Sequence, residues 1–192
     1  MRFVLAVAAL LTLAAPAGAT SPATRTSVYR PFVRGKLSSR LHVTTTLKGH
    51  CWTGSSADPR SDAWRCLSGN FIYDPCFSDP QVPSWVACPA DGSPFGTGVL
   101  RLSLSRALPR SFANHGAPGE GYPWALKLAG GQVCTFLTGA TFEYHGKRAN
   151  YGCTAKMFLA GSPVRSGPTW TITLGTGRKS RPRTAEILVA AW

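Results

Sequence analysis

Glu143, His145 and Arg148 are the residues in this chain whose types and spacing come nearest to a catalytic set. A carboxylate, an imidazole and a guanidinium on one sheet face supply a base, an acid and a phosphate clamp. Those are the parts of a small secreted ribonuclease. The stretch that carries them, "TFEYHGKRANYGC", also reads as a β-hairpin turning at His145-Gly146. Its register sets Glu143 opposite Arg148 as a cross-strand ion pair worth about 0.2–1 kcal/mol, with His145 a turn residue. The structural account needs no substrate and is preferred.

Other chemistry has less to work with. Cys51, Cys66, Cys76 and Cys88 lack the short C-x-x-C spacing that opens a structural zinc site. Asp58, Asp62 and Asp74 do not form a D-x-D-x-D-G calcium loop, and "DP" at 58–59 and 74–75 is turn chemistry. "WTGSS" at 52–56 places a serine in a glycine turn, without a G-x-S-x-G elbow or an identifiable histidine partner. Only 8 acids exist, and no two are spaced for glycoside hydrolysis. No metal and no cofactor is expected.

Binding chemistry is better supplied. Arg178, Lys179, Arg181 and Arg183 crowd the loop "GTGRKSRPR", and five cations without an acid lie in residues 20–40, from Arg25 to Arg40. Exposed basic tips meet phosphate or carboxylate polymers without reading sequence. The whole chain points the same way, with 21 Lys+Arg against 8 Asp+Glu and a formal charge of +13. Such a surface attracts polyanions, although abundant Ala, Gly, Pro and Arg also reflect a composition bias. Trp52 and Trp64 stand beside cysteines and should pack on disulfides, whereas Trp85 is the tryptophan expected at the surface.

The elements that must hold these groups follow from export. Arg2, the apolar run "FVLAVAALLTL" and "AGA" at 17–19 form a signal peptide of residues 1–19, cleaved near Ala19. The apolar run is too short for a membrane anchor. A secreted chain of about 170 residues is expected to bury about 70% of its unfolded surface. Its 6 cysteines, Cys51, Cys66, Cys76, Cys88, Cys134 and Cys153, are an even set in an oxidising compartment. Fifteen connectivities are open. The sequential one is favoured: Cys51–Cys66, Cys76–Cys88 and Cys134–Cys153.

Residues 20–40 read as a flexible basic arm with Val28 to Val33 laid along the domain, and 41–192 as one β-rich domain. "LHVTTTL" and "GVLRLSLSRAL" alternate as strands do. Residues 48–97 read as an irregular, disulfide-held excursion with a helical turn near Ser61–Cys66. "PWALKLAGGQVCTFL" reads as a hairpin about Gly130-Gly131, with Leu128 opposite Val133 and Lys127 opposite Cys134. "TWTITLG" and "TAEILVAAW" complete the strands. The expected class is all-β, mainly antiparallel: a disulfide-stapled sandwich or partly open barrel.

Two resemblances bear on function. "NHG" at 114–116 and "NYGC" at 150–153 resemble elements of L,D-transpeptidases, but Asn150-Tyr151 replaces the Ser-His before Gly-Cys, and Thr154 follows Cys153. "CWTGS", "DAWRC", "GNFIYDPCF", "NYGC" and "GPTWTI" together resemble a set found in uncharacterised secreted proteins of actinobacteria. That resemblance covers roughly residues 50–192 and implies an exported bacterial protein with no implied activity. The expected function is a non-enzymatic secreted module for anionic polymer or the cell envelope, without specific nucleic-acid recognition. The alternative is a small secreted hydrolase of ribonuclease type. A protease inhibitor suits the size but lacks an identifiable reactive loop.

Overall fold

Strands turn alternate side chains to opposite faces. From Ala63 to Leu104 that alternation is written in sulfur, indole and aliphatic groups. Trp64, Cys66, Cys76, Val86, Cys88, Leu100 and Leu102 share one buried cluster, while Ala63, Phe77, Trp85, Ala87 and Val99 belong to another. A computed structural model describes residues 21–192 and shows how both faces become buried.

The described chain opens with three short strands, β1 (Arg25–Ser27), β2 (Phe32–Val33) and β3 (Lys36–Leu37). A meander follows: β4 (His42–Gly54), β5 (Ala63–Ser68), β6 (Phe71–Phe77), β7 (Trp85–Pro89) and β8 (Gly98–Leu104). These five strands close into a barrel. Closure relies on β4, which is 13 residues long. Its first half pairs in parallel with β8 and its last part pairs antiparallel with β5. The inward faces meet as the cystine-rich cluster. Cys51 is bonded to Cys66, its direct cross-strand partner, and Cys76 to Cys88.

The second half repeats the solution with other materials. β9 (Ala125–Leu128), β10 (Val133–Phe136), β11 (Glu143–Tyr144), β12 (Lys147–Cys153), β13 (Phe158–Val164), β14 (Trp170–Gly175) and β15 (Arg183–Ala191) follow in order. β9, β10, β12, β13, β14 and β15 form an antiparallel path whose ends join through β9 and β15. Inside this ring lie Leu126, Leu128, Tyr151, Leu159, Ile172, Ile187 and Ala190. The third disulfide, Cys134–Cys153, links directly opposed residues of β10 and β12.

The outward face of the first ring is a joint. Ala63, Phe77, Trp85, Ala87 and Val99 pack with Trp124, Ala125 and Ala191 of the second half and with Tyr29. Tyr29 is 3% exposed, and its ring centroid lies 5.3 Å from Phe77 and 6.0 Å from Trp124.

Several sequence expectations are corrected. Residues 20–40 are not a loose arm over their described part. β1 runs parallel to β15, and the Tyr29 amide donates to the Trp192 carbonyl at 2.6 Å. Half of residues 48–97 is barrel strand rather than irregular excursion, and the helical turn expected near Ser61–Cys66 is the start of β5. The reason is closure: Trp64 and Cys66 are needed at successive inward positions, which only an extended backbone provides. Trp85 is buried, because Phe32 packs on it at 4.8 Å and Arg101 stacks at 4.8 Å. The Gly130-Gly131 hairpin is one residue out of the expected register. The Leu128 amide donates to the Gln132 carbonyl, and Gly131, at φ +80°, makes a three-residue loop. Leu126 therefore opposes Cys134 and exposed Lys127 opposes Val133. The signal peptide lies outside the described residues.

Candidate functional site

The hairpin of β11 and β12 turns at His145 (φ 48°) and Gly146 (φ 74°). Two successive positive φ values define a type I′ turn, which suits the twist of paired strands. Glu143 opposes Arg148 and Tyr144 opposes Lys147. The expected Glu143–Arg148 ion pair is absent among the described residues. Arg148 instead donates to Asn150 Oδ1 at 2.8 Å and to the Leu137 carbonyl at 3.3 Å. Backbone opposition fixes the Cα atoms; a long guanidinium still chooses its acceptor.

His145 is likewise committed. Its Nε2 lies 3.2 Å from the Ser180 carbonyl, so this nitrogen carries the proton and donates. The Tyr144 hydroxyl donates to the same carbonyl at 2.9 Å. Ser180 Oγ donates to the Gly177 carbonyl at 2.7 Å and accepts from the Thr176 amide at 3.2 Å. The loop between β14 and β15 is thus closed on itself and fastened to the hairpin tip. Arg178 lies over the Phe142 ring at 4.8 Å, a second fastening.

This contact joins two groups that are separate in sequence. Arg178, Lys179, Arg181 and Arg183, all exposed, ride on the loop fastened to the hairpin that carries exposed Lys147 and Arg148; alternation turns Lys147 to the Tyr144 face and Arg148 to the other. Lys147 Nζ donates to Thr173 Oγ1 on β14 at 3.2 Å, which lays it across toward that loop. Glu143 is an acid at the edge of this group. Lys147 was not legible as a member of a basic face. The signal was the polar Tyr144-His145 tip, whose partner 35 residues away no local pattern names.

The acids of the first ring are occupied structurally. Arg60, 1% exposed, donates from Nη1 to the Tyr29 carbonyl at 2.8 Å and stacks over Phe77 at 4.4 Å. Its Nε is 3.3 Å from Asp58 Oδ2 and 3.2 Å from Asp62 Oδ1. Ser55 donates to Asp74 Oδ1 and accepts the amides of Ala57 and Asp58 at 3.0 and 2.9 Å. Arg65 Nη1 reaches Asp74 Oδ2 at 3.3 Å and the Thr138 carbonyl at 3.1 Å, tying the two halves together. Burial pushes the Asp58 and Asp74 carboxyls up from the ordinary range. Arg60 opposes this at Asp58, and the Ser55 hydroxyl opposes it at Asp74. Ser55 is itself buried, and its hydroxyl closes the turn between the Asp74 carboxyl and the two amides.

No protein-family model matches the chain, and neither the curated proteins nor the solved structures yield a match. What the chain does is argued from its own geometry.

Proposed function

We propose that the chain is an exported module that holds an anionic polymer of the cell envelope on the basic face made by the β11–β12 hairpin and the β14–β15 loop. The observations that carry this reading are the two hydrogen bonds that the Ser180 carbonyl accepts, from Tyr144 and from His145. They hold the four-cation loop against the hairpin tip that carries Lys147, and ordering charge before contact lowers the entropy cost of binding. Three disulfides suit the extracellular compartment. Among the described residues no helix is long and apolar enough to cross a membrane.

A backbone-level grip of this kind depends on counterion release, so affinity should fall steeply with salt. The test is retention on a column of wall teichoic polymer or heparin. Neutralising Arg178, Lys179, Arg181 and Arg183 together to Gln should move elution to markedly lower salt and flatten the salt slope. Unchanged elution would reject the face. Tyr144→Phe should give a smaller shift in the same direction, because it loosens the loop without removing charge.

A further inference from the structure

The geometry points to a second anion site, an open cleft between the two halves, built to take one phosphate group on a small polyol or sugar. A cleft of about 410 Å³ opens there, lined by Arg25, Arg40 and Lys127 with Tyr29, Phe95 and Val189 among its walls.

Register explains why the cations meet. Arg25 of β1 pairs with Val189 of β15, and Val189 pairs with Lys127 of β9. The three residues form one row across the sheet, so the Cα atoms of Arg25 and Lys127 are about 10 Å apart, two strand spacings. Long side chains at that separation reach a shared anion from both sides. The row lies on the face that carries Ala125 and Ala191, which packs against the first ring. Where that packing ends, Pro94-Phe95 and Arg40 supply the opposite wall.

The floor is polar but not acidic. Tyr29 is 3% exposed and is held by its own backbone, with its amide on Trp192 and its carbonyl on Arg60. Burial pushes its hydroxyl up to about 12 despite the nearby charge of Arg40, so it stays a proton donor. Asp91 is the acid that acts on this hydroxyl, and one of its oxygens is taken by the Ser93 amide at 3.0 Å.

Size and charge select the ligand class. The volume matches a small-molecule site rather than a polymer groove. Two guanidinium forks and an ammonium around one centre suit a phosphate, whose several oxygens accept them together. A phosphate also carries more charge than a single carboxylate, which balances more of the three cations. Phe95 and Val189 offer apolar surface to the carbon skeleton. The cleft lies along β15 from the basic loop, six residues from Arg183 at Val189, or about 20 Å. On the polymer reading, the cleft takes one phosphate-bearing repeat unit and the loop meets the polymer beyond it. As regards its natural ligand, the cleft rests on the polymer reading.

Isothermal titration of the mature protein with glycerol 3-phosphate tests the cleft without polymer. Saturable binding is expected, weakened about tenfold by either Arg25→Gln or Lys127→Gln, as loss of one charge-assisted hydrogen bond implies. Both residues are exposed, so the variants should unfold at the wild-type temperature, and a melting curve verifies it. The four-residue loop variant should bind glycerol 3-phosphate normally while losing polymer retention. Absence of saturable binding, or full binding in the Arg25→Gln/Lys127→Gln double variant, overturns the site while leaving the basic face untouched. Glucuronate binding as tightly as glycerol 3-phosphate overturns the assignment to phosphate.

Discussion

The two rings of this protein both close on themselves, the first through a parallel pair and the second through an antiparallel one, and they differ in what fills them. The first holds two cystines against Trp64, Val86, Leu100 and Leu102; the second holds mainly leucine, isoleucine and tyrosine, with one cystine among them. Their charges differ in the same sense. The first ring's β4–β5 connection buries Asp58 and Arg60 at 1% exposure each, whereas the second ring's connections hold their cations in solvent. A buried charge is spent on its partner. An exposed charge on a fastened loop remains available to a ligand, so the second ring and its border are where function is sought.

The sharpest break comes from Arg60→Ala. It leaves Asp58 buried without its countercharge and should cost about 3–5 kcal/mol in denaturant unfolding. A cost below about 1 kcal/mol would mean that the loop relaxes to water and that the contrast between the halves is false. Next come the cystines. On chain entropy alone, Cys134–Cys153, with a sequence separation of 19, should contribute slightly more than Cys76–Cys88, with 12. Each would be worth about 3 kcal/mol. The filling of the first ring reverses that order. Cys76 and Cys88 are both buried, whereas of the other pair only Cys134 is, so replacing Cys76 and Cys88 by alanine leaves the larger void and should cost more than Cys134 and Cys153 replaced together. Equal costs would show that the sulfurs act as links rather than as filling.

A smaller effect separates the halves by pH. The Asp74 carboxyl titrates above its ordinary 3.8 because it is buried. The folded state therefore binds its proton more tightly than the unfolded chain does. That contribution is fully present below the unfolded value and is lost as pH rises through the folded one. On lowering the pH from 7 toward about 4, wild type should gain stability relative to Asp74→Asn. A constant gap across that window would place Asp74 in solvent-like surroundings. The smallest effect belongs to the second ring: neutralising Arg178, Lys179, Arg181 and Arg183 should change unfolding free energy by less than about 0.5 kcal/mol. A larger loss would make that loop scaffold rather than binding surface.

Local patterns carried some of this. His145-Gly146 was legible as a turn because two residues with positive φ are a local requirement, and the Glu143–Arg148 opposition follows from the turn. The choice of Asn150 and the Leu137 carbonyl by Arg148 was not, because those acceptors arrive from packing. The strands of 61–89 were hidden for a related reason. Cystines, indoles and Pro75 replaced the β-branched residues by which strands are usually read, and their inward direction appears only once the ring exists. Lys127 looked like a lone strand cation. Its partnership with Arg25 needs two pairings that span the chain.

By itself the sequence determined the strand-forming alternation, the even set of cysteines and the excess of positive charge, since each is a property of composition or of a few neighbouring residues. Tertiary structure decided that the strands close into rings, that the N-terminal segment is part of the sheet and which cations face one another. Those outcomes depend on β4 meeting β8 and β9 meeting β15. Such pairings are set by the joint burial of distant faces, and no short window of residues contains both sides of them.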